Sequence, residues 1–285
     1  MTEIEKKAEF LIEAMPYIEK YQNNILVIKY GGNAMLGDEA KIEVMRDVTL
    51  LRCVGVKVVL VHGGGPEISE TLTRMGIQSK FIDGLRYTDE ETAEVVRMVL
   101  AGKVNKSLVH ILESLGAKSV GLSGIDGGML LCNKQNEKLG FVGNIVKVNP
   151  QLILDCLEKD YLPVISTVGC DKKGNIYNVN ADSAASAIAG ALQAESLILM
   201  TDVKGLLRDK NDENSLIKKV YVSDIESLVH EGIISGGMIP KINCCKEAIR
   251  RGVNRVFMTD GRVKHSLLLE LLSDEGMGTM FVKGD

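Results

Sequence analysis

Residues 25–33 (ILVIKYGGN) and 56–66 (VKVVLVHGGGP) each run from apolar side chains straight into glycines. A nearly continuous apolar run of this length predicts a parallel strand that is buried on both faces. The glycines that follow allow tight turns and a close approach of the backbone to a ligand. Both stretches therefore predict a strand that ends in a glycine loop, and ligands bind at such strand ends in open α/β sheets.

The rest of the chain alternates between strand-like and helix-like segments, which predicts βαβ units, an α/β fold and a mostly parallel sheet with helices on both faces. Polar or hairpin-like stretches interrupt this alternation three times. The predicted helices are 3–20, 39–54, 66–75, 90–115, 150–159, 180–193, 223–231 and 238–251, and the further strands are 119–122, 161–166, 196–200 and 253–258. A helix and a strand within 264–282 end the chain, and the hairpin-like stretches are 79–88, 128–149 and 168–178.

Composition and charge exclude several classes of protein. The 285 residues carry a formal net charge of −4, which argues against nucleic acid or an anionic membrane as the main partner. No apolar stretch approaches the length of a membrane span and the charged N-terminus lacks a signal-peptide pattern, so we expect a cytoplasmic protein. The six cysteines form no CxxC pair, and we expect buried, reduced thiols.

The standard catalytic signatures are missing from the sequence. It contains no G-x-x-x-x-G-K-[ST], no G-x-G-x-x-G, no HExxH and no G-x-S-x-G. Two lysines next to glycines remain: Lys29, which ends an apolar strand, and Lys241, which closes residues 235–241 (SGGMIPK). Such lysines and glycine amides suit an anion, with phosphate as the first candidate, although tight turns alone would explain any single glycine cluster.

Five motifs occur in the order found in the amino acid kinase family: residues 28–35 (IKYGGNAM), 61–66 (VHGGGP), 84–88 (GLRYT), 178–182 (NVNAD) and 236–241 (GGMIPK). The chain resembles this family over nearly its whole length, and in particular the branch that phosphorylates N-acetyl-L-glutamate with ATP in arginine biosynthesis. The resemblance implies a three-layer αβα sandwich with two lobes. An N-terminal helix (1–22) would precede a lobe for acetylglutamate and dimerisation (23–177) and a lobe for ATP and arginine (178–285).

The resemblance also implies roles for single residues. Lys29 and Lys241 would stabilise the phosphoryl group in transfer, and Asp182 would organise both lysines, although a first-turn helix charge is an ordinary alternative for this residue. Substrate contacts are implied for Gly64, Gly65, Arg86 and Asn178. Contacts with nucleotide or phosphate are implied for Gly31, Gly32, Thr201, Asp202, Gly205, Gly236 and Gly237.

The chemistry of such a substrate agrees with these motifs. Its side-chain carboxylate has a pKa near 4.3 and is ionised at neutral pH, so no general base is needed. Lysines, N–H donors and Mg²⁺ would offset its repulsion from ATP. The sequence assigns no protein side chain as a magnesium ligand.

Both ends of the chain resemble those of arginine-inhibited, hexameric members of this branch. By that resemblance L-arginine would bind near Glu270, with Tyr21, His265 and Gly276 lining the pocket, in a trimer of dimers. A PII-type signalling protein is a further possible partner. A solvated Glu270 and an N-terminal helix that only covers its own sheet are the alternatives.

Two other functions stay open at this stage. Another enzyme of the same family, of the glutamate 5-kinase or UMP kinase type, would share the lysines and the glycine loops. A non-catalytic sensor of nucleotide or amino acid would share the fold, but it would not need both lysines and Asp182.

Overall fold

The structure, a computed structural model, describes residues 2–35, 37–274 and 276–284. In these ranges the helices are α1 (Glu3–Tyr21), α2 (Asp38–Cys53), α3 (Gly65–Arg74), α4 (Glu90–Arg97), α5 (Asn105–Ser114), α6 (Gln151–Glu158), α7 (Ala181–Ala191), α8 (Ile225–His230), α9 (Met238–Arg250) and α10 (Ser266–Leu271). The strands are β1 (Ile25–Tyr30), β2 (Lys57–His62), β3 (Phe81–Ile82), β4 (Leu85–Arg86), β5 (Ser119–Ser123), β6 (Leu130–Lys134), β7 (Gly143–Val148), β8 (Leu162–Ser166), β9 (Val168–Cys170), β10 (Ile176–Asn178), β11 (Ser196–Thr201), β12 (Lys219–Tyr221), β13 (Arg255–Asp260) and β14 (Thr279–Val282).

The central sheet confirms the predicted α/β fold. Its strand order in the described residues is β12-β14-β13-β11-β1-β2-β8-β5. Strand β1 lies between β11 and β2 and is parallel to both. Strands β12 and β14 run opposite to the rest of the sheet, because β14 pairs antiparallel with β13 and parallel with β12. The smaller sheets, β10-β9-β6-β7 and β3-β4, contain the three predicted hairpins.

Side chains alternate between the two faces of each central strand, and this alternation builds two apolar layers. Leu26 and Ile28 of β1 pack in a cluster with residues of α2, α3 and α5. Val27 of the same strand packs on the other face, with residues of α6, α7 and α9. Each cluster draws residues from both of the predicted lobes, so the sheet, with helices on both faces, forms the three-layer sandwich.

The sequence prediction differs from the structure in three places. The predicted helix 90–115 contains a π-helical segment, Met98–Val104, between α4 and α5. The short edge strand β12 was not predicted, because three residues carry too weak a pattern. The strand predicted over 253–258 begins at Arg255 and ends at Asp260, where the chain turns into Gly261.

The expectation of buried thiols holds only in part. All six cysteines are free, as expected, but Cys53, the last residue of α2, is exposed.

No described helix combines the length and the apolar character that are needed to cross a bilayer.

Candidate active site

Lys29 is buried against a carboxylate at the carboxyl end of β1. It lies on the same face of the strand as Val27, and α7 covers that face. The first turn of α7 contains Asp182, and Nζ of Lys29 lies 2.9 Å from Oδ1 of Asp182. Lys29 is only 6% exposed. The alternation along β1 therefore determines which helix this lysine meets.

Lys241 reaches the same carboxylate from a different helix. It lies in the first turn of α9, and its Nζ is 3.4 Å from Oδ2 of Asp182. Burial raises the pKa of Asp182, but the charges of Lys29 and Lys241 outweigh that effect and hold the pKa below its usual value. The side chain of Lys241 is 26% exposed, against 7% for Lys29. Asp182 thus bridges a buried ammonium group and one that solvent and ligands can reach.

The glycine loops that follow β1 and β2 pack against each other. The N–H of Gly63 donates to the carbonyl oxygen of Tyr30 at 3.0 Å, and a Cβ on Gly31 would lie 3.3 Å from the nitrogen of Gly63. Gly32 has φ +66°, in the left-handed region that favours glycine. Gly65 begins α3, and a helix N-terminus favours negative charge. The loops bring backbone amides to the edge of the sheet where β1 ends, one residue after Lys29.

Arg86 is a buried cation that is held by neutral groups. Its guanidinium donates to Ser79 Oγ at 2.8 Å, to Ser69 Oγ at 2.8 Å and to the carbonyl oxygen of Gly65 at 3.0 Å, and it lies 4.8 Å from the ring centroid of Phe81. The ion pairs found among the described residues join no carboxylate to it. Burial lowers its pKa, but an arginine stays protonated at neutral pH. Its charge is therefore left for a ligand, and its contact with Gly65 places it beside the second glycine loop.

Asn178 lies where three segments of the chain meet. Its backbone N–H donates to the carbonyl oxygen of Phe141 at 2.9 Å, and its Nδ2 donates to Thr88 Oγ1 at 3.3 Å. Asn180, two residues later, is the N-cap of α7, and its side chain accepts from the N–H of Ser183 at 3.0 Å. The NVNAD motif thus joins the hairpin β6–β7 to the helix that carries Asp182.

A cleft of about 900 Å³ opens beside Asp182 and Lys241, which is large enough for a small-molecule ligand. The β3–β4 turn and the β6–β7 hairpin form part of its lining, and α7 and α9 form another part. Gly236 and Gly237, just before α9, also line it. The described residues that line the cleft do not include the other residues predicted for the site, which are Lys29, Gly31, Gly32, Gly64, Gly65, Arg86, Asn178, Thr201, Asp202 and Gly205.

Thr201 and Gly205 have local structural contacts instead. Thr201 Oγ1 donates to the carbonyl oxygen of Val203 at 3.0 Å, which closes the turn after β11. Gly205 has φ +150°, and a Cβ there would lie 2.5 Å from Thr279 Oγ1. These contacts explain why a threonine and a glycine occur there, and their proposed contact with nucleotide stays a prediction.

Of the four residues expected around arginine, Glu270 and Gly276 are in direct contact. Oε2 of Glu270 accepts from the N–H groups of Met277 and Gly278, both at 2.7 Å, and the backbone of Gly276 packs beside the same carboxylate. Burial raises the pKa of Glu270.

His265 and Tyr21 have other neighbours. His265 points to α2, where its Nδ1 lies 2.6 Å from Asp47 Oδ1. Tyr21 is buried in the apolar cluster on the α2 face of the sheet. The structure therefore brings together Glu270 and Gly276. In the described part of the chain, no direct hydrogen bond links either of them to His265 or Tyr21.

Sequence reasoning missed the residues that hold the functional side chains. Ser69 follows Gly65 by one helical turn of α3. That spacing could have predicted that both residues lie on the same side of the helix, near Arg86. Ser79 had no such signal, because it meets Arg86 only through the fold of the β3–β4 hairpin.

No group of three or more His, Cys, Asp or Glu side chains in the described residues could hold a metal ion. Asp182, the carboxylate nearest to the lysines, is already paired with both of them. These described residues do not fit a resident metal centre.

Comparison with known proteins identifies the family. Residues 24–260 match the amino acid kinase family. Acetylglutamate kinase of Clostridioides difficile is 55% identical over 279 residues, which cover 98% of each chain, and the same enzyme of Brachyspira hyodysenteriae is 54% identical over 97% of each chain.

Among solved structures, N-acetylglutamate synthase of Neisseria gonorrhoeae, complexed with coenzyme A and N-acetyl-glutamate, superimposes with a TM-score of 0.85 at 24% identity. The match covers 98% of this chain but only 64% of the synthase, and at this identity it shows the shared fold alone. The family match and the full-length relatives show together that the chain belongs to the amino acid kinase family, in the group of the acetylglutamate kinases.

Proposed function

We propose that this protein transfers the γ-phosphoryl group of ATP to the side-chain carboxylate of N-acetyl-L-glutamate, which gives N-acetylglutamyl 5-phosphate and ADP in arginine biosynthesis. Relatives of 50–55% identity over nearly the full chain carry the name of this activity. The single observation that supports it best is the bridge of Lys29 and Lys241 by Asp182 beside two glycine loops. This arrangement presents fixed positive charge where a phosphoryl group would be transferred.

The lysines would act on charge. The attacking carboxylate is ionised at neutral pH, so the barrier comes largely from its repulsion by the phosphates. In phosphoryl transfer the protein contributes mainly positioning and electrostatic stabilisation. Lys29 is fixed by burial and by Asp182, so its ammonium group needs little reorganisation as charge shifts in the transition state. Lys241, more exposed and on a separate helix, would approach the same group from another side.

ATP would bring its own metal. Mg²⁺ bound to the phosphates and water would neutralise part of their charge, and the protein would supply N–H donors from Gly31 and Gly32 and from Gly236 and Gly237. Thr201, Asp202 and Gly205 would border the nucleotide in the lobe 178–285.

Arg86 would bind the α-carboxylate of acetylglutamate. A guanidinium fork matches a carboxylate with two parallel hydrogen bonds, and no acidic side chain of the described part of the chain competes for its charge. Asn178 and the Gly64–Gly65 backbone would complete the substrate site in the lobe 23–177.

A coupled assay of ADP release tests the function. We expect turnover with MgATP and N-acetyl-L-glutamate, and much slower turnover with glutamate or UMP. Faster phosphorylation of glutamate or UMP would assign the protein to another branch of the family. If no acceptor of this class is phosphorylated, a sensor of nucleotide or amino acid is the better description.

The regulatory part of the proposal is inhibition by L-arginine at Glu270. This carboxylate is buried, it accepts two backbone N–H groups and it lies beside Gly276. A guanidinium ligand would find a fixed anion there. Tyr17, near the end of α1, donates a hydrogen bond to Asp274, so the first helix reaches the segment that follows α10. Tyr21 and His265 would have to line the pocket from α1 and from the start of α10.

The oligomer is proposed to be a hexamer in which α1 joins dimers. Four large apolar side chains of α1 are between 53% and 65% exposed, which a solvated helix would not favour. They are Phe10, Leu11, Ile12 and Met15. A contact with a PII-type protein and a cytoplasmic location stay predictions.

The double variant Phe10→Ser with Leu11→Ser tests both the proposed hexamer and the proposed inhibition by arginine. We expect dimers that keep their turnover but lose inhibition by arginine, as measured by light scattering and by the ADP assay. A variant that stays hexameric and arginine-inhibited would contradict the role of α1.

A further inference from the structure

His62 is a fully buried histidine that the proposed chemistry does not use. It is the last residue of β2 and lies directly before the three glycines 63–65. Because side chains alternate along β2, it points to the α5 face of the sheet, opposite to the face on which Lys29 meets Asp182.

The hydrogen bonds of the ring assign its tautomer. Nδ1 lies 2.8 Å from the carbonyl oxygen of Gly63, which can only accept, so Nδ1 carries the proton. Nε2 lies 3.1 Å from Nδ2 of Asn105. The same Nδ2 lies 2.9 Å from the carbonyl oxygen of Val164 and 3.2 Å from that of Leu122, so an amide nitrogen, not an oxygen, faces these groups. Nε2 of His62 therefore faces a donor, whose two hydrogens are shared among these three acceptors.

The ring is also neutral at physiological pH. Burial lowers the pKa of His62 from 6.5 to about 4; the hydrogen bond to Gly63 opposes this effect, and the nearby charge of Lys106 adds to it. A neutral ring with fixed donor and acceptor atoms is a rigid link between Asn105 and the loop.

The space around Asn105 and the loop is fitted to this link. A Cβ on Gly121 would lie 2.0 Å from Asn105 Oδ1, so β5 has no side chain where the amide of Asn105 sits. A Cβ on Gly64 would lie 2.8 Å from Cδ2 of Leu100, which belongs to the π-helical segment before Asn105. Such segments occur often at functional sites, and here the segment packs on the loop.

The direction of one peptide unit follows from the His62 contact. A trans peptide is planar, so its C=O and N–H point in opposite directions. When Nδ1–H of His62 holds the carbonyl oxygen of Gly63, the N–H of Gly64 must point away from that ring. No hydrogen bond within the described part of the chain uses this N–H. The N–H of Gly64 is therefore available to a ligand, and the contact between His62 and Gly63 fixes the direction in which it points.

We propose that His62, held by Asn105, is a positioning residue that aims the N–H of Gly64 at the bound substrate. The proposal rests on the proposed function, in which Gly64 contacts acetylglutamate. His62 itself touches no substrate. Its effect should fall on the binding and orientation of the acceptor and leave ATP alone.

Two substitutions separate the contact of His62 with Gly63 from its contact with Asn105. In His62→Asn, the side-chain Nδ2 can take the place of Nδ1 and still donate to Gly63. In His62→Gln, the longer side chain can reach Asn105 but cannot donate to Gly63. Both remove the buried ring, so both should lower the melting temperature by similar amounts.

We expect His62→Gln to lower kcat/KM for acetylglutamate by about tenfold to a hundredfold, since a small misplacement of a contact has effects of that order. His62→Asn should stay within about threefold of the wild type, and KM for ATP should change less than twofold in both. Equal losses in the two variants, or losses that follow only the melting temperature, would overturn the proposal. A wild type without turnover on acetylglutamate would instead contradict the proposed function.

A second measurement does not depend on activity. With ¹⁵N-labelled histidine, only four residues give ring signals. We expect one ring with a protonated Nδ1, an unprotonated Nε2 and no titration between pH 5 and 8, and we expect His62→Gln to remove that signal. If the His62→Gln variant removes a signal from the other tautomer, or one that titrates in this range, the assigned link is wrong.

Discussion

The protein holds positive charge in place in two different ways. At the ends of β1 and α9, Lys29 and Lys241 share the carboxylate of Asp182. At the β3–β4 hairpin, Arg86 is held by two serine hydroxyls and a carbonyl oxygen. An internal counterion fixes the lysines and reduces their net charge, whereas neutral acceptors orient the arginine and leave its charge whole. The first arrangement suits a group that is present only during transfer, and the second suits a ligand that must be attracted and held.

The largest effect is expected from the lysines. Lys29→Ala or Lys241→Ala should lower kcat by about a hundredfold or more, because each removes a preorganised charge contact with the phosphoryl group. KM for acetylglutamate should change much less. Steady-state kinetics measure this, with circular dichroism as a check on the fold. Nearly normal kcat in both variants would mean that the lysines do not act on the phosphoryl group, and the contrast with Arg86 as a binding residue would no longer hold.

Arg86→Ala should act mainly on KM. A hydrogen bond to a charged group contributes about 1.5–3 kcal/mol, so we expect kcat/KM for acetylglutamate to fall by about tenfold to a hundredfold. Arg86→Lys keeps the charge but loses the fork, and it should recover only part of the loss. An unchanged KM for acetylglutamate would show that the α-carboxylate binds elsewhere.

Asp182→Asn should weaken both the positioning of the lysines and the stability. The folded pKa of Asp182 lies below the ordinary value of 3.8, so its ion pairs stabilise the protein above that value and the effect is lost as pH falls through the folded pKa. The variant should therefore be less stable than the wild type at pH 7, and the difference should narrow below pH 3.8. Urea unfolding at several pH values measures it, and a difference that does not change with pH would contradict the assigned bridge.

The smallest effect is expected from the serine that orients Arg86. Ser79→Ala removes one neutral acceptor and should raise KM for acetylglutamate by about twofold to tenfold at unchanged kcat. Ser114→Ala is a matched control, because that hydroxyl bonds only locally, to the carbonyl oxygen of Ile111 at 2.7 Å. Equal KM values in the two variants would mean that the remaining contacts orient Arg86 without Ser79.

The sequence predicted the parts of the site that depend on local pattern. The apolar run before Lys29 predicted a buried strand, and the small residues after Asp182 predicted a helix that packs closely on the sheet. It did not predict the contacts of Ser79 or Asn105, because these depend on how distant segments pack. The π-helical segment Met98–Val104 has the composition of an ordinary helix and could not be distinguished from one. Tyr21 and His265 came from resemblance alone, and no hydrogen bond between described side chains links either of them to Glu270.

The pairing of β1 with β11 limits how this protein can be divided. Residues Leu26 to Lys29 pair with Ser196 to Leu199, so the seam between the two predicted lobes runs through the middle of a hydrogen-bonded sheet. A cut between residues 177 and 178 would leave each fragment with an apolar inner strand as a bare edge, and such edges aggregate. The lobes are therefore not modules that could be exchanged between relatives one at a time. A relative movement of the two lobes as whole bodies would have to bend or twist this sheet, because β1 and β11 are hydrogen-bonded across the seam.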